Sequence, residues 1–386
     1  MTWVRVRRTG HDRPRVLVVG QGPPAAGGIP SFVTSLVADE WLRSRVDLDY
    51  LNTTPRWTKR PGSFDIGNLR QLLSDASALV ARGRKADIVH LNLAPTPLPP
   101  LCRAIFLALV VRASGAKVVL HAHSGRLAGC MRNPIYRFLM RFLLQITQVM
   151  IVVSAEADRA TSHLSGVVRL DNGIAAEQAP TGPKDENPPL LSFVGTVCER
   201  KGLLDLLRAL EIVRARTNGL LPCRVVIIGD ARQEGPGVFE GVREAYSVAG
   251  LDRVEFLGRI ERSDVADVLA RSSIFCLPSH WEAFPISLLE AMAAETAIVA
   301  TDVGEIPRVL DDGVAGRLVP AHDPDALATA IAGLLERPEA RLGLARAARS
   351  RVLTSFSLSR NVQEIFDLYM ALWEDSKSGR GSAHSI

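Results

Sequence analysis

Residues 274–277, Ile-Phe-Cys-Leu, offer no polar side chain to either face, so they fit only a strand covered on both sides. The chain then turns through Pro278-Ser279-His280-Trp281-Glu282-Ala283-Phe284 and enters a helical pattern over 285–293. Pro285 suits the first helical turn, where its missing N–H has no intrahelical bond to lose. The same unit recurs along the chain. Apolar runs at 15–20, 46–51, 86–92, 117–121, 148–153, 190–195, 224–229, 254–260 and 297–303 are joined by loops and helical patterns. The clearest helical patterns are at 69–83, 97–111, 131–145, 203–215, 325–336 and 338–354. This alternation predicts an α/β fold of parallel, doubly wound sheets.

A chain of 386 residues is long enough for two such domains, each with its own core. The stretch 175–189 is polar, Pro-rich and without periodicity, and reads as a linker. It divides a first domain over 1–174 from a second over 190–356. A last helical pattern occupies 357–375, and the Gly/Ser-rich tail 376–386 is expected to be disordered.

Hydrophobic residues at 47% with 23% charged residues describe a soluble globular chain rather than a disordered one. The net charge of +5 favours an anionic partner such as phosphate or an acidic membrane surface. Nucleic acid is the weakest candidate, because aromatic residues are only 5% and no finger or RNP-like pattern occurs. Cys102, Cys130, Cys198, Cys223 and Cys276 form no C-x-x-C pair, so reduced cytoplasmic thiols are expected rather than a disulfide frame or zinc site. The first 14 residues carry four arginines but no long apolar core, which reads as a flexible basic arm and not a secretory signal. The apolar segment 97–111 is too short to span a bilayer. In 131–145, arginines and bulky apolar residues share helical spacing. A core-facing helix with a wet basic side and an interfacial helix resting on anionic lipid both fit that pattern.

Several residues carry chemistry. Glu282 falls in the loop after 274–277 and Glu290 in the helix beyond it. Alone, such glutamates are usually solvated. At the carboxyl ends of parallel strands they can instead accept hydrogen bonds from hydroxyls, while backbone N–H groups on either side of Pro285, those of Phe284, Ile286 and Ser287 near the helix start, hold phosphate. Hydroxyls plus phosphate is the polar signature of a nucleotide-sugar. Gly20-x-Gly22-x-x-Ala25 formally fits a dinucleotide fingerprint, but Pro23-Pro24 lengthens the loop and no clear acid ends the second strand. Asp47-x-Asp49 lies on one strand face and reads as a solvated pair rather than a metal site.

The setting Pro278-Ser279-x-x-Glu282-x-Phe284-x5-Glu290-Ala291-Met292-Ala293 resembles the E-x7-E element of family-4 retaining glycosyltransferases. Other blocks fall in that family's order. These are a glycine-rich first loop ending in Gly27-Gly28, a histidine closing the strand at 117–123, and Asn172-Gly173-Ile174. Gly195 with Lys201-Gly202 follows, where the family pattern is Gly-Arg-x4-Lys-Gly. The chain departs from the pattern with Thr196 at the arginine place, Ala283 and Pro285 for glycines, Glu295 and Ala297 after Ala-Met-Ala, and Arg308 for glutamate. The resemblance covers most of the chain and is strongest from 193 to 320.

The resemblance implies the GT-B fold, two Rossmann-like domains facing across a cleft, with the last helix crossing back to the first. It implies a nucleotide-sugar donor, a glycan or lipid-linked acceptor, no cofactor and no metal. Gly27, Gly28 and Gly195 would admit the donor diphosphate, and Lys201, with Arg200 as the substitute for Thr196, would neutralise it. Glu290 would hold ribose hydroxyls and Glu282 a sugar hydroxyl. His123 would position the sugar or acceptor, with His121 and Asn172 nearby. The expected location is cytoplasmic or peripheral on the cytoplasmic membrane face. Competing readings are a sugar-nucleotide epimerase, an NAD-dependent dehydrogenase resting on Gly20-Gly22-Ala25, and a non-catalytic sugar-binding protein.

Overall fold

A computed structural model of the chain describes residues 11–25, 27–54, 66–124, 126–184, 187–231 and 237–377. The expected basic arm lies mostly outside these residues, as do most of the loop at 52–65 and nearly all of the tail. The chain divides into two compact units, 1–173 with 358–386, and 174–357.

The first unit is built on a six-stranded, fully parallel sheet. Its strands are β1 (Arg15–Gly20), β2 (Asp47–Asn52), β3 (Ile88–Leu93), β4 (Lys117–Ala122), β5 (Val149–Val152) and β6 (Val167–Arg169), in the order β2-β1-β3-β4-β5-β6. Successive side chains point to opposite faces, and both faces are covered. Leu17, Val19, Val89 and Leu91 pack with the helices Leu98–Ala113 and Pro134–Ile146 on one side. Val16, Val18, Ile88 and Ile151 pack on the other with the helix Gly28–Ala38 and the last helix, Leu358–Lys377. That last helix buries Val362, Ile365, Tyr369 and Leu372, spaced three or four residues apart. Full burial of such side chains is worth roughly 1.5–3 kcal/mol each, enough to fix the helix on this unit. Lys117 Nζ adds a 2.7 Å hydrogen bond to the Leu372 carbonyl oxygen.

The second unit repeats the plan. Its strands are β7 (Leu190–Val194), β8 (Arg224–Ile228), β9 (Val254–Gly258), β10 (Ile274–Leu277), β11 (Ala297–Thr301) and β12 (Arg317–Val319), ordered β12-β11-β10-β7-β8-β9 and again all parallel. All four residues of β10 are buried, as their apolar composition requires. In each sheet the connections change direction once, between β1 and β3 and between β7 and β10. Open α/β sheets bind ligands at the strand ends beside such a reversal.

Several boundaries differ from the sequence expectation. The described part of 175–189 belongs to the second unit. Ile174 bridges Ser357, Ala176 is buried, and the half-buried Lys184 ammonium donates to the Leu269 and Ala294 carbonyls at 3.1 Å each. Those carbonyls end the helices Arg262–Arg271 and Ile286–Ala293, where a cation is favoured by the helix dipole. A polar stretch can thus be anchored by one cation without any hydrophobic period. The helix Gly28–Ala38 stops before Asp39, whose carboxylate caps a separate short helix, Glu40–Arg43, through the Leu42 N–H. Pro285 precedes the helix as its cap residue rather than lying within its first turn. The last helix continues to Lys377, past the expected start of the tail. The helices Ala155–Thr161, Val238–Val248 and Arg262–Arg271 and the strand β6 were not marked out in the sequence; Ala155–Thr161 and β6 are short, at seven and three residues.

Candidate functional site

In the second unit, β7 runs into Gly195 and a short 3-10 turn, Glu199–Lys201, while β10 runs into Pro278 and the loop that carries Glu282. These are the strands that flank the reversal, so the two loops lie side by side. The backbone N–H of His280 donates to the Arg200 carbonyl at 2.8 Å, tying one loop to the other. Glycine permits the approach. Gly202 sits at φ 67°, and a Cβ there would come within 1.9 Å of the Pro278 carbonyl oxygen. Gly304 does the same behind Glu282, with φ 58° and only 1.8 Å to the Glu282 carbonyl oxygen.

Glu282 is the hub of this junction and is 6% exposed. Its Oε1 accepts from Lys201 Nζ at 2.5 Å and from Ser279 Oγ at 2.8 Å. Arg200 Nη1 lies 3.4 Å from the other carboxylate oxygen and donates to the Trp281 carbonyl at 2.9 Å. Two cations therefore flank one carboxylate, leaving a formal excess of one positive charge in a poorly hydrated place. Arg200 stands beside Lys201 as the second cation, where the sequence departs at Thr196. Gly195 lies against Lys201, and a Cβ there would meet its Cε at 3.4 Å, an ordinary van der Waals contact. Glu282 was expected to face a sugar hydroxyl; in this structure its oxygens are taken up by Lys201, Arg200 and Ser279.

Immediately beyond, the helix Ile286–Ala293 begins with no side-chain cap, so its first N–H groups, those of Ile286 and Ser287 among them, are available to an anion. Phe284 turns its ring inward against Phe356, with centroids 5.8 Å apart, and contributes backbone and packing rather than a ligand face. Glu290 lies one turn in, with Oε1 3.2 Å from Arg262 Nη2. Burial pushes its carboxyl up from the ordinary glutamate value, and Arg262 opposes that rise.

The first unit holds the remaining candidates. Gly27, at φ 125°, precedes the helix Gly28–Ala38, whose N-terminus has no side-chain cap either. The dinucleotide fingerprint does not take its required shape here. Gly22 donates its N–H to Asn52 Oδ1 and Thr54 Oγ1 at 3.1 Å each, and the helix starts only at Gly28. His123 follows β4, is half-buried, and pairs through Nε2 with Asn92 Oδ1 at 3.0 Å. His121 lies directly beneath it, rings stacked at 4.0 Å, with His90 stacked below at 5.4 Å and Phe32 edge-on at 4.8 Å.

His121 is completely buried, and neither ring nitrogen has a hydrogen-bond partner among the described residues. It cannot be the residue that meets a ligand; His123 is the exposed end of the stack. Burial drives His90 and His123 down to about 3, and it lowers His121 as well, with the neighbouring imidazoles adding to that effect. Asn172 is buried near the end of this unit with its Oδ1 unpartnered among the described residues.

His90, Asn92, Tyr369, Ser279 and Arg262 join these sites without having been singled out in the sequence. His90 and Asn92 did leave a trace there, as polar residues in the otherwise apolar run of β3. Tyr369, whose hydroxyl lies 2.6 Å from His90 Nδ1, comes from a helix more than two hundred residues away and left none.

Comparison with known proteins places these observations in context. Residues 175–351 match the family model of glycosyl transferases group 1. The chain is 34% identical over 194 residues to the phosphatidyl-myo-inositol mannosyltransferase of Mycolicibacterium smegmatis, covering 49% of this chain and 48% of that one. It is 35% identical over 201 residues to the D-inositol 3-phosphate glycosyltransferase of Saccharomonospora viridis, covering 51% and 45%. The chain thus spans about half the length of the curated relatives it matches. Among solved structures, the sucrose-phosphate synthase of Thermosynechococcus elongatus superposes with a TM-score of 0.74 at 20% identity, over 94% of this chain and 100% of that one. Anabaena HepE in complex with UDP and glucose superposes with a TM-score of 0.69 at 18% identity, over 93% and 100%. At these identities the likeness is one of fold, and the fold is GT-B.

Proposed function

We propose that the chain, whose residues 175–351 match the family model of glycosyl transferases group 1, moves a sugar from a nucleotide-sugar to a glycan or lipid-linked glycan acceptor, with retention at the anomeric carbon. The observation that carries this reading is the Lys201–Glu282–Arg200 cluster beside an uncapped helix N-terminus, at the reversal between β7 and β10. As the bond from sugar C1 to the diphosphate oxygen breaks, negative charge gathers on the diphosphate and positive charge on the sugar. Lys201, Arg200 and the N–H groups of Ile286 and Ser287 supply fixed positive potential to that leaving group. Glu282 positions the Lys201 ammonium and offsets one of the two positive charges at the resting site. The acceptor hydroxyl oxygen forms the new bond to C1 from the leaving-group face, and its proton passes to the departing phosphate oxygen. Glu290 suits the ribose hydroxyls, and His123, neutral at its exposed end of the stack, suits a sugar or acceptor hydroxyl.

A turnover screen of UDP-, GDP- and ADP-sugars tests this reading, with UDP-sugars first because the HepE neighbour was solved with UDP and glucose. Slow hydrolysis or transfer from one donor, with an α-linked donor giving an α-configured product by NMR, is expected. An inverted product would exclude retention, and product formed by epimerisation with no acceptor or water consumed would favour the epimerase.

The acceptor side is read from the first unit. The helix Pro134–Ile146 buries Tyr136, Met140 and Leu143 and exposes Ile135, Phe138 and Phe142 next to Arg137 and Arg141. Phe138 is 70% exposed. Bulky apolar side chains beside arginines suit the interface of an anionic bilayer. No helix among the described residues is long and apolar enough to cross a membrane. The chain is therefore expected to float with anionic liposomes and to lose that association when Arg132, Arg137 and Arg141 are changed to Glu. Unchanged flotation of that variant would sink the membrane reading.

A further inference from the structure

Three side chains beside the Lys201–Glu282 junction converge without being used by it. Asp205 lies in the first turn of the helix Leu203–Arg216, His280 in the loop after β10, and His322 in the loop after β12. His280 Nε2 is 2.8 Å from Asp205 Oδ2, and His322 Nδ1 is 4.0 Å from the same oxygen. All three atoms lie within 4.8 Å of one another. The imidazole rings are 3.8 Å apart and tilted by 35°, so they are not locked in a parallel stack.

We propose that Asp205, His280 and His322 form a binding site for a divalent transition-metal ion of the zinc type. Two imidazole nitrogens and one carboxylate oxygen are the donor set such ions take, and magnesium or calcium would call for more oxygens. The sizes fit. A triangle with sides of 2.8, 4.0 and at most 4.8 Å has its centre roughly 2.4 Å from each corner, against about 2.0–2.2 Å for zinc bonds to nitrogen and oxygen. A small turn of the His322 ring, whose side chain is 67% exposed, closes the difference and leaves a fourth position open to water.

The backbone is arranged for the same convergence. His322 is held at φ 61°, a conformation that non-glycine residues rarely adopt. Gly202 lets the start of the helix carrying Asp205 lie against the loop carrying His280, since a Cβ there would come within 1.9 Å of the Pro278 carbonyl oxygen. An ion at this point would join one helix start and two loops at the carboxyl ends of the sheet. It would also fix the separation of Lys201 and Glu282, which lie four residues before Asp205 and two after His280. The role assigned to it is positional, and it does not depend on the glycosyl-transfer reading.

The test uses the full chain after chelator treatment and dialysis. Cobalt(II) titration should give one equivalent bound per chain with visible d–d absorption. Zinc at a hundredfold excess over its Kd should raise Tm by about 5–10 °C. Cobalt affinity should fall at least tenfold, and the zinc-induced rise in Tm at the same zinc concentration by about half or more, in His322→Ala, whose exposed side chain can be lost without unfolding, and in Asp205→Asn. They should persist in His163→Ala, an exposed histidine elsewhere. Absence of both effects at millimolar metal, or equal binding by His322→Ala, would overturn the proposal, and loss in His163→Ala would assign the binding to scattered surface histidines instead.

Discussion

The first unit should unfold in mild acid, well before the second. Its sheet carries three stacked imidazoles, buried His90 and His121 and half-buried His123, against Phe32 and Tyr369, with Asn92 at the exposed end and, among the described residues, no carboxylate in hydrogen-bond contact with any of the rings. In the folded chain His90 and His123 stay neutral down to about 3, while in the unfolded chain they take up protons near the ordinary value of 6.5. The unfolded state therefore binds more protons throughout that interval. Stability is at its full value above about pH 6.5 and falls as the pH drops toward 3, by about 1.4 kcal/mol per pH unit for each fully buried histidine.

His123 is partly exposed and contributes less than His90; His121 adds a further loss of the same sign. At pH 5 His90 alone costs about 2 kcal/mol, already a sizeable share of the roughly 5–15 kcal/mol that ordinarily holds a domain together. Hydrogen exchange across pH 7.5 to 4.5 should show protection lost in residues 88–93 and 117–122 first. His121→Leu removes the one ring with no polar partner and should move the transition to lower pH. Equal acid resistance of the two units would contradict the account of the stack.

Lys201→Ala should lower kcat by about a hundredfold to a thousandfold, the usual loss when a preorganised positive group is removed from a developing anion. Stability complicates that variant, because Glu282 is buried and its closest cation would be gone. Breaking a buried pair by removing one partner costs about 3–5 kcal/mol. The double variant Lys201→Ala/Glu282→Gln leaves no stranded charge and should recover most of the melting temperature while remaining as inactive as the single one. Recovery of both activity and stability would make the pair merely structural. The reverse variant, Arg200→Ala, should cost less, since Arg200 is 3.4 Å from the carboxylate and partly solvated.

Much of this was legible in the chain itself, where local chemistry speaks. The all-apolar run of β10 could only be a doubly covered strand, and Lys201, Glu282 and Glu290 sit in loops and a helix start whose spacing is written in a few consecutive residues. The glycine departures were legible in part. Glu295 occupies a place where the resembled family has glycine, and it adopts φ 56° there. What failed were features set by tertiary contact. Residues 175–184 looked like a linker because one lysine, reaching carbonyls nearly a hundred residues away, leaves no period in the sequence. His121 looked like a ligand-facing residue because strand alternation gives the face but not the depth. The Asp205–His280–His322 convergence draws on one helix start and two loops separated by as many as 117 positions, and no short motif spans them.

Donor-induced stabilisation is the most direct measurement of the central claim. Thermal melts of the chain with UDP, GDP, ADP and their sugars should show one nucleotide family raising Tm in a saturable way. That shift should be lost in Glu290→Ala, which removes the proposed ribose contact, and in the Lys201→Ala/Glu282→Gln variant, which removes the diphosphate cation. A shift that survives in both variants, or one produced by NAD and by no nucleotide-sugar, would contradict a donor site at the β7–β10 reversal.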